Sequence, residues 1–459
     1  MSDFKKQMSS SAKPEKSEKV RRFFVMSTYG ELLDIAIQLQ EEGQDVIFYV
    51  PDPHCKPIGN GIVEKAENWH DYLGQDYIFV IDGCENASLQ DWLRKKGEWV
   101  VGTNEAMSEY EDDRQLGQEL FKKAGFNQPE SHNFTDFDEA IDFIRENSDK
   151  RYILKQNGGA PKSLNHLSKF DGGVDMIFHL EELKKSWKDS ENGEVNFDLM
   201  EVVEGVEIAA SAFFNGHDWL RNAEGKVVGF INVEEKKESD GGLGETTGET
   251  GTVFLGVTED DDTFSDILLR PEITALLKEH DYRGVFDING SMTEDGYVAF
   301  EPTSRYGIPA SSYEFIEGLK TSTADILEAM AKGKDTPIEI EEGFGMVIVV
   351  AAKPYPLETE NINDNSTSVG KRLWILNDGQ PIDDFTDDQL KHIHLENFTK
   401  NDDGQYRVAI KSGYLLTVTG RGESIEDTRE KLLEYIKENI YIEGMKYRQD
   451  IGKRVEDYF

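Results

Sequence analysis

Short apolar runs alternate with amphipathic segments over the hundred residues that follow Arg21. RRFFVMS, DVIFYV, DYIFVID and EWVVGT are each compact enough for a buried strand. ELLDIAIQLQEEG, between the first two runs, carries apolar side chains at helical spacing and ends at Gly43. Buried strands that alternate with helices are typical of a parallel sheet covered on both faces. We therefore predict an α/β domain in this part of the chain.

The pattern changes after a predicted helix at 111–125, EDDRQLGQELFKKAG, which has acidic residues in its first turn and Gly125 at its end. Strand-like runs then dominate: RYILKQNG, NFDLMEVVEG, VEIAASAFFNG and GKVVGFINVEE, followed by the acidic, glycine-rich stretch ESDGGLGETTGETG. A helix is predicted near 266–280. The chain closes on the helix SIEDTREKLLEYIKEN, where Ser424 and Asp427 resemble a capping box. The expected fold is a multidomain combination of α/β and α+β parts.

Polar side chains recur at every second position along two adjacent predicted strands, within VFDINGSMTEDGYVAFEPTSR. Because side chains alternate between the faces of a strand, Asp287 and Asn289 share one face, and Glu301, Thr303 and Arg305 share a face of the next strand. The turn TEDG would make the strands antiparallel neighbours, so that the polar faces coincide. Such oxygen ligands suit Mg²⁺ at nucleotide phosphates. A hairpin with its polar face in water is the alternative that the spacing leaves open.

The chain is strongly acidic: 50 Lys and Arg against 90 Asp and Glu give a net charge of −40 over 459 residues. Such a surface repels phosphate backbones and anionic lipid, so we expect no nucleic-acid or membrane partner. Cys55 and Cys84 show neither metal-ligand nor disulfide spacing. No run of about 18 apolar residues is present. We expect a cytoplasmic protein, with the polar residues 1–19 as a disordered tail.

The C-terminal segment carries the most specific motif. GYLLTVTGRGESIEDTREKLLEYIKENIYIEGMKYRQDIG resembles the closing stretch of phosphoribosylamine–glycine ligases, which belong to the ATP-grasp superfamily. AAKPYP, EPTSRYGIP and ETTGETG resemble further motifs of that family, and the similarity runs from about Arg21 to Gly452. The residues that carry the C-terminal match are Gly413, Leu416, Val418, Thr419, Gly422, Gly444, Tyr447, Arg448, Asp450, Ile451 and Gly452.

The resemblance implies an architecture and a chemistry. The expected parts are a tail (1–19), an N-terminal Rossmann-like domain (20–125), a small ATP-grasp lid subdomain (126–210), the central ATP-grasp domain (211–337) and a C-terminal β-rich domain (338–459). An amino acid such as glycine would be activated as an acyl phosphate with ATP and Mg²⁺, or Mn²⁺ as an alternative metal, and an amine acceptor would then attack it. The family acts in purine biosynthesis, and we expect a monomer or dimer.

The resemblance also assigns nucleotide-binding residues, position by position. They are Arg114, Lys155, Glu201, Val202, Val203, Glu207 and Lys236. Arg114 stands where the family has its first phosphate-binding lysine, Lys155 matches the second cation at a strand end, and Lys236 matches a lysine between two glycine-rich stretches. The segment 201–203 matches the hinge whose backbone hydrogen-bonds adenine, and Glu207 matches the acid that takes the ribose hydroxyls.

The predicted metal ligands are Glu301, Thr303, Asn289 and Asp287. Glu301 matches a magnesium ligand of the family, and Thr303 stands where the family has an asparagine. Asp287 and Asn289 occupy a strand that is apolar in phosphoribosylamine–glycine ligases. Arg305 matches an arginine beside the reacting groups and forms, with Lys236, the predicted catalytic pair.

The chain departs from the family where the amine acceptor would bind. A glycine-glycine-arginine-glutamate-histidine motif, which helps to hold the phosphate of phosphoribosylamine, is replaced by the segment YGELL at 29–33, and Ile308 replaces an aspartate. The loop Ser27–Gly30 still leads from a strand into a helix, so we expect backbone N–H donors there. Glu31 would nevertheless repel a phosphate. NGGAPKSLN at 157–165 replaces the family's glycine-rich lid and contains Pro161.

Three functions therefore stay open. The first is a phosphoribosylamine–glycine ligase, and the second is the same ATP chemistry on another amine, such as a modified nucleotide. The third is a non-catalytic nucleotide-binding paralogue. Glu31 and Ile308 count against the first. Asp287 and Asn289 favour the second over the third, because a decaying site rarely gains polar groups on the correct face.

Overall fold

The structure is a computed structural model. It describes residues 19–156, 164–187, 194–308, 312–341, 343–356, 367–377, 379–382, 390–456 and 458. The predicted tail, except for Lys19, and most of the segment 157–165 with Pro161 lie outside the described residues.

The N-terminal part is the parallel sheet with helices that the alternating pattern predicts. Its elements are β1 (Arg22–Met26), α1 (Leu33–Glu41), β2 (Asp45–Tyr49), β3 (Tyr77–Ile81), α2 (Ala87–Lys95), β4 (Trp99–Val101), α3 (Glu105–Asp112) and α4 (Arg114–Lys123). The strand order is β2-β1-β3-β4, and all three pairings are parallel. Phe24 and Phe79, on adjacent strands, are fully buried. The loops after β1 and β3 leave the same edge of this sheet.

The helix predicted at 111–125 is in fact two helices, α3 and α4, with a break at Asp113. Asp113 Oδ1 accepts hydrogen bonds from the backbone N–H groups of Gln115 (2.9 Å) and Leu116 (3.2 Å), so it caps the start of α4. Glu111 therefore lies in the last turn of α3 and not in the first turn of a longer helix. The acidic run EDD, which predicted the start of one helix, contains the end of α3 and the capping residue of α4.

A four-stranded antiparallel sheet with two helices follows. Its elements are β5 (Ser131–Phe134), α5 (Phe137–Glu146), β6 (Tyr152–Gln156), β7 (His166–Leu167), α6 (Val174–Trp187) and β8 (Phe197–Glu201), with strand order β5-β8-β6-β7. Phe137, Tyr152, Leu180 and Phe197 belong to one buried cluster between the helices and the sheet. This core is separate from the core of the N-terminal sheet.

An eight-stranded sheet, in the order β13-β12-β9-β10-β11-β14-β20-β17, contains most of the remaining chain. Its first elements are β9 (Val206–Asn215), β10 (Val228–Ser239), β11 (Leu243–Thr258), α7 (Asp262–Leu268), α8 (Pro271–Glu279), β12 (Arg283–Thr293) and β13 (Gly296–Thr303), followed by a π-helix (Tyr313–Glu317) and α9 (Thr323–Lys332). The predicted acidic, glycine-rich stretch ESDGGLGETTGETG contains the last two residues of β10, the turn Asp240–Gly242 and the first part of β11. The helix predicted near 266–280 is two helices, because Pro271 begins a new one.

The C-terminal elements are β14 (Phe344–Ala351), β15 (Trp374–Asn377), β16 (Gln380–Ile382), β17 (Ile393–Leu395), β18 (Phe398–Lys400), β19 (Tyr406–Val408), β20 (Tyr414–Gly422), α10 (Ile425–Asn439) and β21 (Ile440–Tyr441). Ser424 caps α10 as predicted, because its Oγ accepts from Asp427 N at 3.1 Å. β14 pairs with β11 on one side and β20 on the other, so these strands continue the central sheet.

The chain forms two compact units. The larger contains the described residues of Met1–Leu120, Glu207–Asn289 and Glu301–Phe459, and the smaller contains those of Phe121–Val206 and Gly290–Phe300. Within the part of the chain that the structure describes, no helix is both long and apolar enough to cross a membrane. The predicted five-part domain division stays a prediction.

Candidate active site

Lys236 lies among carboxylates on one face of the central sheet. Glu234 and Lys236 face the same way because side chains alternate along β10. Lys236 Nζ is 2.9 Å from Glu207 Oε1 and 3.2 Å from Glu234 Oε2. Burial alone would lower the pKa of Lys236, but Glu234, Glu207 and, with them, Glu301 raise it. The ammonium group therefore keeps its charge at neutral pH.

Asp287 belongs to the same electrostatic environment. It is buried on β12 and accepts a hydrogen bond from Asn289 Nδ2 at 2.7 Å, which confirms that the two side chains share a face. Burial raises the pKa of Asp287 well above its ordinary value, and Glu234 adds to the increase, while Lys236 opposes it. We call Glu207, Glu234, Lys236, Asp287 and Glu301 the lysine cluster.

The four predicted metal ligands lie at different depths. Thr303 and Asp287 are buried, whereas Glu301 is exposed at the edge strand. Across the described ranges, no three His, Cys, Asp or Glu side chains form a group that could hold a metal ion. The donor set nevertheless has the carboxylate and amide oxygens that Mg²⁺ prefers. The metal assignment stays a prediction.

Arg305 is positioned by Glu111, a residue that the sequence reasoning did not select. Glu111 Oε1 accepts from Arg305 Nε at 2.8 Å, and Glu111 Oε2 accepts from Ser304 N at 3.0 Å. Burial would lower the pKa of Arg305, but Glu111 raises it. The last turn of α3 thus fixes the guanidinium group at the end of β13.

Arg114 is the first residue of α4 and is half-buried. Its Nη1 atom is buried and has no hydrogen-bond partner in the structure as described. A guanidinium N–H that is removed from water without an acceptor is costly, and an anion would satisfy it. The atom is therefore compatible with the predicted phosphate-binding assignment.

The predicted adenine hinge lies in the smaller unit and begins at Glu201, the last residue of β8. The N–H of Glu201 donates to Glu130 O at 2.8 Å, and the N–H of Val202 donates to Arg151 O at 2.9 Å. The N–H of Val203 donates to no acceptor among the described residues. Of the three predicted hinge residues, only Val203 thus has a backbone donor left for a ligand.

Charged side chains surround the predicted hinge in the smaller unit. Glu201 Oε2 accepts from Lys150 Nζ at 2.9 Å, and Lys150 also contacts Glu130 Oε2 at 2.7 Å. Lys155 is half-buried on β6 opposite Asp198 of β8. The predicted cation and the predicted hinge thus lie on two paired strands of one sheet.

The loop after β1 keeps fewer free backbone donors than we expected. Thr28 N donates to Asp82 Oδ1 at 3.1 Å, Gly30 N donates to Ser27 O at 3.4 Å, and Ser27 Oγ also donates to Asp82. Burial raises the pKa of Asp82 to about 7, against the effect of its hydrogen bond from Ser27. The expectation was wrong for Thr28 because the carboxyl group of Asp82, the residue after β3, reaches the loop, and it was wrong for Gly30 because the carbonyl of Ser27 accepts from it within the loop.

Glu111, Glu234 and Asp82 were missed for different reasons. Glu234 could have been found, since a residue two positions before Lys236 on a strand shares its face. Glu111 and Asp82 contact residues that are 194 and 54 positions away in the chain, so no local pattern could pair them.

Comparison with known proteins points to one family, although no family model matches the chain. The phosphoribosylamine–glycine ligase of Lactococcus lactis is 23% identical over 450 residues, which cover 94% of this chain and 99% of that protein. The crystal structure of a phosphoribosylamine–glycine ligase from Thermotoga maritima has a TM-score of 0.67 at 19% identity, and the match covers 94% of this chain and 100% of that one.

The same fold extends to a biotin carboxylase domain. That domain, from the 2-oxoglutarate carboxylase of Hydrogenobacter thermophilus in complex with MgADP, ADP and bicarbonate, has a TM-score of 0.60 at 12% identity and covers 93% of this chain. The near-complete match to the Lactococcus protein adds to the motifs of the C-terminal segment. The chain is thus similar over nearly its whole length to phosphoribosylamine–glycine ligases and has the fold of the Thermotoga maritima enzyme.

Proposed function

We propose that the protein is an ATP-dependent carboxylate–amine ligase of the phosphoribosylamine–glycine ligase type, acting in purine or related nucleotide biosynthesis. In that reaction an amino-acid carboxylate is activated as an acyl phosphate at the expense of ATP, and an amine then displaces the phosphate to form an amide. The lysine cluster carries the proposal. It holds one charged ammonium group among four acids, and three of its residues, Lys236, Glu207 and Glu301, align with site residues of the family.

The chain has groups that fit a nucleotide. Val203 keeps an open N–H for the adenine ring, and Glu207 has a carboxylate for the ribose hydroxyls. Arg114, with its unpartnered Nη1, Lys155 and Lys236 would hold the phosphates. Each assignment follows from the family alignment and is compatible with the contacts of the residue within its own unit.

Residues on β12 and β13, and Arg305 just after β13, would bind the metal ion and contact the reacting groups. Glu301, Asp287, Asn289 and Thr303 would hold Mg²⁺, which neutralises charge on phosphate oxygens when bound. Arg305 is held by Glu111 and would stabilise negative charge on the transferring phosphoryl group. Because this guanidinium group is already oriented, little reorganisation is needed at the moment of reaction.

Nucleotide binding is the first test. A ligand that binds only the folded state raises the melting temperature by mass action, so saturating Mg-ATP should raise it by several degrees, and calorimetry should show one site. Neither a thermal shift nor a binding heat would contradict the nucleotide assignment.

The hinge allows a sharper test with a matched control. Val203→Pro removes the open N–H, whereas Val203→Ala keeps it with a similar loss of side-chain volume. We expect about tenfold weaker nucleotide binding in Val203→Pro and nearly unchanged binding in Val203→Ala, since one hydrogen bond contributes on the order of 1 kcal/mol. Equal affinities in the two variants would show that this amide does not contact the base.

The ligase reaction itself is tested by ATP turnover with glycine, crossed against amines that include freshly generated phosphoribosylamine. We expect ADP and phosphate release to require both an amino acid and an amine, with one amide formed per ATP. Turnover that is independent of any amine, or no turnover with intact nucleotide binding across the panel, would favour the non-catalytic alternative.

A further inference from the structure

Three acidic side chains of the larger unit lie between the start of α1 and the end of β17, where Asp34 and Glu31 act electrostatically on Glu396. Asp34 lies in the first turn of α1 and is buried, and its Oδ2 accepts a hydrogen bond from Ser312 Oγ. Glu396 directly follows β17 and is 8% exposed. Glu31 precedes α1 and is half-buried. We call Glu31, Asp34 and Glu396 the anionic pocket.

Hydrogen bonds fix the walls of this pocket. Ser312 Oγ, which donates to Asp34, is also 3.3 Å from Thr417 Oγ1 on β20. Glu396 N donates to Leu415 O, on the same strand, at 3.2 Å. α1, β20 and the segment after β17 are therefore held against one another around the three acids.

One carboxylate oxygen in the pocket has nothing to bind. Glu396 Oε1 is buried, and it has no hydrogen-bond partner within the described part of the chain. Burial raises the pKa of Glu396 well above its ordinary value, and the charges of Asp34 and Glu31 raise it further. Ionised carboxylates in such surroundings are stabilised by a positive charge that donates hydrogen bonds.

The pocket is next to the loop where relatives of this chain are expected to hold a phosphate. A phosphate placed there would meet Glu31 at close range, and the amides of Thr28 and Gly30 are already used. An ammonium or guanidinium group would instead gain hydrogen bonds from the acids. The chemistry of the pocket therefore selects for a cation and against an anion.

Glu249 connects the anionic pocket to the lysine cluster. It is buried on β11, and its N–H is 3.2 Å from Tyr414 Oη on β20. Burial raises the pKa of Glu249, and the charges of Glu234 and Glu396 add to the increase, while Lys236 opposes it. A ligand anchored at Glu396 would thus lie close to the proposed reaction centre.

We propose that the anionic pocket binds a positively charged group of the amine acceptor, so that the acceptor is a diamine or another amine that carries a second cationic group. This inference rests on the proposed ligase function, because the acceptor is the second substrate of that reaction. The reacting amine would extend towards the lysine cluster while the second cation pairs with Glu396.

The test is calorimetry on the full chain, saturated with Mg²⁺ and a non-hydrolysable ATP analogue. The probes are 1,4-diaminobutane, 1-aminobutane and O-phosphoethanolamine. We expect 1,4-diaminobutane to bind at least tenfold more tightly than 1-aminobutane, which lacks the second cation, and O-phosphoethanolamine to bind most weakly. Equal affinity of the diamine and the monoamine, no detectable binding of the diamine, or preference for the phosphorylated amine would each overturn the proposal.

Substitutions in the anionic pocket test whether its acids cause the preference for 1,4-diaminobutane over 1-aminobutane. Glu396→Gln keeps the shape of the side chain and removes its charge, and it should reduce the tenfold preference to about twofold. Asp34→Asn is a second variant with the same expectation, in case the first fails to fold. Glu443→Gln changes an acid whose side chain is 78% exposed, and it should leave the preference unchanged. A preference that persists in both pocket variants would place the cation elsewhere.

Failure of the pocket proposal can be told apart from failure of the proposed ligase function. If the nucleotide analogue does not bind, the proposed function fails. If the nucleotide binds and the diamine shows no preference, only the pocket proposal fails.

Discussion

The lysine cluster and the anionic pocket are both groups of acids within the larger unit, and they differ in how their negative charge is compensated. In the lysine cluster, Lys236 contacts two carboxylates at 2.9 Å and 3.2 Å and keeps its charge. In the anionic pocket, the charges that act most on Glu396 are those of the acids Asp34 and Glu31.

This difference indicates what each region needs from a ligand. The lysine cluster has one built-in cation for several acids, so part of its negative charge is already offset before a metal ion binds. In the anionic pocket, Glu396 must either stay protonated or receive a cation from a ligand, because its buried Oε1 has no hydrogen-bond partner among the described residues. The predictions that follow alter one side of this comparison at a time.

The largest effect is expected from Lys236→Met. The variant removes the ammonium group and leaves Glu207 and Glu234 without their common partner, while the aliphatic chain is kept. We expect ATP turnover with the best acid and amine to fall by at least about a hundredfold, because several kcal/mol of electrostatic stabilisation are lost. Steady-state measurement of ADP release checks this.

Lys237→Met is the matched control for that substitution. Lys237 is the next residue on the strand, and its Nζ contacts Thr246 Oγ1 at 2.7 Å and not the acids of the cluster. Turnover should stay within about twofold of the unmodified protein. A similar loss in both variants would point to general damage to β10 and not to the ammonium group.

A smaller effect is expected from Glu301→Gln and Asp287→Asn. Each substitution removes a carboxylate charge from the predicted metal ligands, so each should slow turnover about tenfold and raise the Mg²⁺ concentration needed for half-maximal rate. Turnover measured over a range of Mg²⁺ concentrations separates the two effects. If both variants behave like the unmodified protein, the alternating acids of β12 and β13 have no part in metal binding.

The smallest effect is expected in stability, from Asp34→Asn in the anionic pocket. Burial raises the pKa of Asp34 from an ordinary value of 3.8 to about 6, although its hydrogen bond from Ser312 opposes this. The folded protein therefore binds the proton more tightly than the unfolded chain does. The resulting cost to stability is fully present above about pH 7, shrinks as the pH falls through 6 and is absent below about pH 4.

Asp34→Asn should accordingly raise the free energy of unfolding by about 1 kcal/mol at pH 8 and leave it nearly unchanged at pH 4. Urea unfolding at the two pH values measures this. A stabilisation of equal size at both values would mean that packing, and not the buried charge, explains the effect.

The sequence predicted most of the local structure near these regions. Alternating apolar runs identified β1 to β4, and period-two spacing placed Asp287 and Asn289 on one face, which their 2.7 Å contact confirms. The same periodicity could have identified Glu234 next to Lys236. The prediction of one helix at 111–125 was wrong, because Asp113 caps a new helix there and the spacing of apolar residues does not show where a cap forms.

What the sequence by itself determined is the resemblance to phosphoribosylamine–glycine ligases, the order of strands and helices along the chain, and the positions that match nucleotide-binding residues of those proteins. These depend on periodicity and on motifs within short stretches. Only the tertiary structure decided that Asp82 accepts a hydrogen bond from the amide of Thr28 and that Asp34 accepts one from Ser312. It also decided that Glu111 orients Arg305. Those contacts join residues that are 54 or more positions apart, and they form only because paired strands and packed helices bring distant segments together.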